Sequence, residues 1–130
     1  MKNDLHRISK NGSSYLGIDS YGFLNVKGSN LNGTLGFSKD IKVLTDWTRL
    51  NIKVKDYFSV NNFTIVHTLD NKFFFCGEYF TIQDYKRYQF GFKRFKTTVK
   101  NMKEFMNKDL IVLKIRGIKF ILKIKGDKIG

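Results

Sequence analysis

The chain has 130 residues, which is the size of one ordinary domain. Its 24 Lys and Arg residues against 11 Asp and Glu give a formal net charge of +13, which favours a polyanionic partner. No apolar run approaches the roughly 20 residues of a membrane-spanning helix, so we expect no membrane partner. A single cysteine, Cys76, excludes an internal disulfide and a cysteine-based zinc cluster.

The first 80 residues predict short antiparallel strands separated by turns. Residues 15–18 and 23–27 flank a turn at 20–22, as in a hairpin. Apolar and polar residues alternate over 41–44 and 50–54, which predicts a second, solvent-faced hairpin across the residues between them. We therefore expect an antiparallel sheet from this half of the chain.

Two further hairpins are predicted from β-rich segments around turn residues. Residues 63–69 and 73–76 flank Asp70-Asn71-Lys72, a favourable sequence for a hairpin turn. Residues 110–115 and 120–124 flank Arg116-Gly117 in the same way. The second pair predicts a closing hairpin over residues 110–126.

Between these hairpins the apolar pattern changes to the period of an α-helix. Steps of three and four residues separate a set of apolar side chains, namely Phe92, Phe95, Val99, Met102 and Met106. The same spacing, displaced by one residue, separates Lys93, Lys96, Lys100 and Lys103. The pattern predicts an amphipathic helix over 90–106 with an apolar face on the sheet and a basic flank.

The predicted fold is therefore α+β, with an antiparallel sheet of short strands packed against one basic amphipathic helix. Residues 1–106 are expected to form a single domain, with an inserted hairpin near 57–88. Residues 107–130 are expected to form the closing hairpin, or the start of a truncated second domain.

The distribution of charge indicates where a polyanion would bind. Residues 1–80 carry a net charge of +3 (10 basic, 7 acidic), and residues 81–130 carry +10 (14 basic, 4 acidic). Aromatic residues interleave with the cations, as in proteins that contact phosphates and stack on bases. The residues predicted to contact RNA are Lys93, Arg94, Lys96, Lys100, Lys103, Arg116, Lys119, Lys123 and Lys125.

Residues suited to catalysis are sparse, so we expect no enzyme, no metal and no cofactor. His6 and His67 lie far apart in the sequence, and His67 falls in an apolar strand where a structural role is expected. Cys76 is expected to be a small buried apolar residue. The glycines form neither a phosphate-binding loop nor a dinucleotide-binding turn.

Several strand and turn motifs resemble the large-subunit ribosomal protein six family. They are GFLNVKG at 22–28, NGTL at 32–35, DIKV at 40–43, LNIKV at 50–54, Phe105, LKIRGIKF at 113–120 and IKGDKI at 124–129. The resemblance implies a structural constituent of the ribosome with rRNA and neighbouring ribosomal proteins as partners. A separate chain completing the second domain, or loss of that domain, is also implied. The absence of alanine and proline is typical of AT-rich organellar genomes, which points to a mitochondrial ribosome.

The sequence also resembles the repeats of the regulator of chromosome condensation family. Residues 12–28 and 61–77 align without gaps at a spacing of 49 residues, and SNLNGTLG at 29–36 is similar to a turn of that repeat. This alternative implies blades of a β-propeller that act as a protein-interaction module. We rank the ribosomal interpretation first, because it also accounts for the charge and the size of the chain.

Overall fold

The computed structural model describes residues 4–80, 86–115 and 117–123. Strands dominate this part of the chain, and the one helix in it is six residues long. In chain order the elements are β1 (Leu5–Asn11), β2 (Ser14–Asp19), β3 (Phe23–Ser29), β4 (Val43–Val60), β5 (Phe63–Thr68), β6 (Phe73–Phe80), β7 (Arg87–Phe95), α1 (Met102–Asn107), β8 (Leu110–Ile115) and β9 (Ile118–Lys123).

Neighbouring strands pair antiparallel in sequence order from β1 to β7. The 18-residue strand β4 belongs to two sheets, because its first part pairs with β3 and its last part pairs with β5. We call β1–β3 with the first part of β4 the first sheet. The rest of β4 with β5–β7 is the second sheet, and the β8–β9 hairpin is the third sheet.

The sheets pack face to face, with the second sheet in the middle. One core lies between the first and second sheets and includes Leu16, Leu24 and Val66. Another core lies between the second and third sheets and includes Ile65 and Phe120. All six residues of β5 are buried, since alternate side chains of this strand point into the two cores.

The spacing of 49 residues is visible in the backbone. Gly12 and Asn61 begin equivalent hairpin turns, and both have positive φ angles, 61° and 52°. Gly22 and Asn71 lie in the next turn of each repeat, with φ angles of 92° and 63°. Glycine and asparagine tolerate this left-handed conformation better than other residues, so the sequence alignment reflects two copies of one structural unit.

The α+β prediction with a long basic helix over 90–106 is wrong. Residues 87–95 form strand β7, and only Met102–Asn107 are helical. Phe92 packs against the core between the first and second sheets, whereas Phe95 lies in the core between the second and third. A step of three residues in a strand places side chains on opposite faces, and both faces of β7 are covered. The residues of the helical period therefore come from β7, the segment after it and α1. Phe95, Val99 and Met102 share one core, Phe92 packs on the other, and Met106 is exposed.

The predicted hairpin over 41–54 is also wrong, because Val43–Val60 is one continuous strand. Val26 pairs with Thr48 and Gly28 pairs with Leu44, so the strand bulges opposite β3. That irregularity accommodates the polar residues that the sequence suggested as a turn. The hairpins predicted around residues 20–22 and 70–72 are confirmed. The pairing of β8 with β9 confirms the closing hairpin over 110–115 and 118–123, and its predicted residues 116 and 124–126 lie outside the described residues.

Candidate partner-binding surface

Two hairpin turns from different sheets lie side by side at one end of the stack. The centre of β4 joins them, because the amide of Leu69 donates to the carbonyl of Lys53 at 3.2 Å. The adjacent amide of Val54 donates to the carbonyl of Gly22 at 2.9 Å. Tyr21 and Leu69 project from these turns with 69% and 51% of their surfaces exposed. The turns therefore present two large side chains to solvent.

A buried carboxylate holds the β2–β3 turn in place. The Asp19 side chain is 1% exposed, and its Oδ2 lies 2.7 Å from Nε of Arg49. It also accepts hydrogen bonds from the Asn25 side chain and from the amides of Tyr21 and Phe23. Burial alone would raise the pKa of Asp19, but these donors and the guanidinium outweigh it and lower that pKa.

The guanidinium group of Arg49 lies over two aromatic rings beside the turn. Its guanidinium carbon lies 5.4 Å from the ring centroid of Tyr21 and 4.9 Å from that of Phe23. Nζ of Lys53 lies 5.2 Å from the same Phe23 ring. These cation–π contacts fix the direction of Tyr21 and Lys53 at the end of the stack.

An apolar cleft of about 610 Å³ opens between the first sheet and the second sheet. Residues 50–53 of β4 contribute the side of the first sheet. Its floor consists of partly buried apolar side chains that pack on the core between the first two sheets, namely Phe37, Leu50, Ile52, Phe74 and Phe92. Its exposed rim consists of Lys53, Leu69, Asp70 and Lys72. The cleft is formed by residues from both sheets, so its shape depends on how the sheets stack.

A cationic groove of about 590 Å³ opens on the other face of the second sheet, toward the third sheet. Its cations are Lys72, Arg94, Lys96 and Lys100. Nζ of Lys72 lies 3.1 Å from a carboxylate oxygen of Asp70. Across the described ranges, the side chains of the other three cations are exposed and form no ion pair with Asp or Glu. Lys72 lines both the cleft and the groove, so the two meet at this end of the second sheet. Phe74 and Phe92 of the cleft face the first sheet, whereas Phe73 and Phe95 of the groove face the third.

The structure brings together three of the nine residues predicted to bind a polyanion. Arg94 lies on β7, and Lys96 and Lys100 lie between β7 and α1, around the cationic groove. The others are distributed as follows: Lys93 on β7, Lys103 on α1, Lys119 and Lys123 on β9, with Arg116 and Lys125 outside the described residues. Polyanion binding by these residues stays a prediction. The sequence analysis missed Lys72 and the cleft, since neither belongs to a periodic pattern.

Of the three residues considered for catalysis, His67 and Cys76 are buried and His6 is exposed on β1. The His67 ring stacks on Phe73 at a centroid distance of 4.3 Å, and its Nε2 lies 2.6 Å from the Asn71 side-chain oxygen. Cys76 is fully buried, and burial raises the pKa of its thiol. Both structural roles agree with the expectations from sequence.

Two further features are absent from the described residues. They contain no group of three or more His, Cys, Asp or Glu side chains arranged to hold a metal ion. They also contain no helix with the length and hydropathy needed to cross a membrane.

Comparison with known proteins identifies the fold. No protein-family model and no curated protein matches the sequence. Two similar solved structures are Kap60 bound to yeast RCC1 (Prp20), and Prp20p from Saccharomyces cerevisiae, which binds Gsp1p and histones. Each has a TM-score of 0.60 and 14% identity over 92% of this chain. The chain spans about a third of those proteins, 32% and 33% of their lengths.

The fold is therefore that of β-propeller repeat blades, in agreement with the alternative resemblance. The expected ribosomal identity, with rRNA, neighbouring ribosomal proteins and a chain completing a second domain as partners, is wrong. The structures that this chain resembles are propeller proteins with protein partners. The ribosomal resemblance depended on short strands ending at Lys-Gly turns, and antiparallel hairpins of unrelated folds share such motifs.

Proposed function

We propose that this chain is a protein-interaction module without catalytic activity, built from propeller-type blades, that binds a partner protein at the apolar cleft. The cleft is the observation that carries the proposal. Its five apolar floor residues already pack on a core, so they present a formed surface to a partner. Preorganisation of this kind reduces the entropy lost on association.

The neighbourhood of the cleft has the composition of a binding surface. Exposed Leu69 lines it, and exposed Tyr21 projects from the adjoining turn. Aromatic residues are frequent anchors in protein interfaces. Lys53 and Lys72 on its rim supply the charged border that such an interface needs. The similar solved structures have protein partners, namely Kap60, Gsp1p and histones, which supports the same class of function for this chain.

Location in a mitochondrion is a separate proposal. It is supported by composition alone, because the chain lacks alanine and proline. Fractionation of cells that express the tagged protein would test it, and recovery outside mitochondria would refute it.

Site-specific photo-crosslinking tests the interaction module. A photoreactive amino acid at Leu69, on the cleft rim, is compared with one at Ile8, which is similarly exposed at 58% and lies on β1. We expect discrete protein adducts from position 69 and not from position 8. The adducted protein, once purified, should bind the full chain in solution and bind the Leu50→Gln variant about tenfold more weakly.

Two results would contradict the proposal. Equal adducts from both positions would show that the cleft is not the contact surface. Adducts with nucleic acid and not with protein at position 69 would assign the surface to another class of partner. Comparing the thermal unfolding curves of Leu50→Gln and the unmodified chain shows whether the weaker binding is caused by unfolding.

A further inference from the structure

We infer that the partner presents an extended acidic segment, with an apolar side chain in the cleft and carboxylates in the cationic groove. This inference rests on the proposed function and adds the chemistry of the partner. It depends on the contact between the cleft and the groove, on the unpaired cations of the groove, and on the burial of the nearby aromatic rings.

Lys72 connects the two halves of the surface. Its side chain is 41% exposed, and it lines the cleft on one side and the groove on the other. An extended chain that passes from the cleft over Lys72 and around the end of the second sheet would enter the concavity lined by Arg94 and Lys96. Successive residues of an extended chain advance by about 3.3 Å, so a short segment can contact both regions.

The charges of the groove favour an anionic occupant. Arg94, Lys96 and Lys100 surround one concavity, and among the residues described none of their side chains pairs with an acidic side chain. Like charges held within a screening length of about 10 Å repel one another. Carboxylates of a partner would remove that repulsion, and the arginine can accept a carboxylate in a bidentate geometry.

The groove is less suited to single-stranded nucleic acid. Its two aromatic residues, Phe73 and Phe95, are only 7% and 3% exposed, so their faces are not available to stack on bases. Base stacking on exposed rings provides much of the affinity in single-strand binding. The adjacent apolar cleft instead matches an aliphatic or aromatic side chain of a peptide.

Fluorescence anisotropy with synthetic peptides tests this inference on the purified full chain. The probe is a labelled peptide with one leucine followed by a run of glutamates. Its matched controls carry glutamine for glutamate, or serine for leucine. We expect the glutamate peptide to bind about tenfold more tightly than either control, with an affinity that falls as salt is added.

Protein variants locate the binding site. The double variant Arg94→Gln/Lys96→Gln removes two groove cations, and Lys39→Gln/Lys42→Gln removes two exposed cations outside the groove. Both lower the net charge equally. We expect about tenfold weaker binding of the glutamate peptide by the first variant and unchanged binding by the second. Equal thermal unfolding curves would exclude a folding defect.

The outcomes separate this inference from the proposed function. The inference would be overturned if the glutamate peptide bound no more tightly than the glutamine control or the serine control. A protein adduct formed by the photoreactive residue at position 69 would still support the proposed interaction module. Tighter binding of a uridine oligonucleotide, lost in Arg94→Gln/Lys96→Gln, would also overturn the inference in favour of nucleic acid.

Discussion

Gly28 and Gly77 lie 49 residues apart and occupy equivalent positions in two successive sheets, with φ angles of 97° and 123°. A Cβ atom on Gly28 would lie 2.1 Å from the carbonyl oxygen of Ser13. One on Gly77 would lie 2.3 Å from the carbonyl oxygen of Asn62. In both sheets the amide after the glycine donates to that same oxygen, at 2.9 and 2.7 Å. The repeat therefore requires glycine for space as well as for backbone conformation.

Replacing Gly28 with alanine should destabilise the fold more than replacing Gly117 does. Gly117 also has a positive φ, 81°, but a Cβ atom there meets nothing within 4 Å. The left-handed conformation costs an alanine about 1–2 kcal/mol, and we expect Gly117→Ala to lose about that much. Gly28→Ala adds a steric clash and should lose at least about 3 kcal/mol. Urea unfolding measures both, and equal losses would contradict the close approach to Ser13.

The stability of the fold should decrease in acid because of Asp19. Its pKa is lowered in the folded protein, so its contribution is present above the unfolded value of about 3.9. That contribution is lost as the pH falls through the lower, folded value. Asp19→Asn should cost about 2 kcal/mol at neutral pH and flatten the pH dependence below about pH 4. Urea midpoints from pH 7 to pH 2 measure this.

The matched control for Asp19 is Asp46→Asn, which changes an exposed carboxylate on β4. We expect this variant to keep the acid-dependent loss of stability of the unmodified protein. If the urea midpoint of Asp19→Asn falls as steeply with decreasing pH as that of the control, Asp19 is not the group that causes the loss of stability in acid.

A single buried side chain should control the loop between β3 and β4. The Asn30 amide nitrogen donates to the carbonyls of Phe37 and Ile41 at 3.1 and 2.8 Å. Its oxygen accepts from the amide of Leu35 at 3.1 Å. Asn30→Asp replaces the donor with a carboxylate that faces carbonyl oxygens, so we expect a loss of about 3 kcal/mol. Hydrogen exchange of the loop amides should rise, whereas Asn51→Asp, on an exposed side chain, should leave it unchanged.

Cys76 should be unreactive in the folded protein. Its side chain is buried, its thiol pKa is raised, and its Sγ lies 3.6 Å from the carbonyl oxygen of Thr34. The thiolate is the nucleophile that attacks thiol reagents, and here it is both inaccessible and scarce. Labelling with Ellman's reagent should be complete in denaturant and slow without it. Rapid labelling under native conditions would place Cys76 nearer the surface than the structure does.

Local signals predicted several hairpins correctly. Gly22, Asn71 and Gly117 each mark a turn at the predicted place, and each adopts a positive φ. Turn residues act through their own backbone preferences, so a single sequence contains this information. The repeat at 49 residues is likewise visible in the order of the residues alone, and the expected burial of Cys76 is confirmed.

The helix prediction failed because apolar periodicity reports burial and not conformation. Phe92 and Phe95 are buried by different sheets, so their spacing of three is compatible with a strand once both faces are covered. The candidate surface was only partly predictable, because a sequence pattern does not show which side chains meet in space. Arg94 and Lys96 stood out as cations, but Lys72 joins them from a distant turn.

The sequence by itself determined the turns, the repeat and the strongly basic character of the chain, because these depend on individual residues and their spacing. The tertiary structure decided which side chains share a surface. Stacking of the second sheet between two others made the apolar cleft and placed Lys72 beside Arg94 and Lys96. Contacts between residues far apart in the chain arise from the packing of whole sheets, which no local pattern specifies.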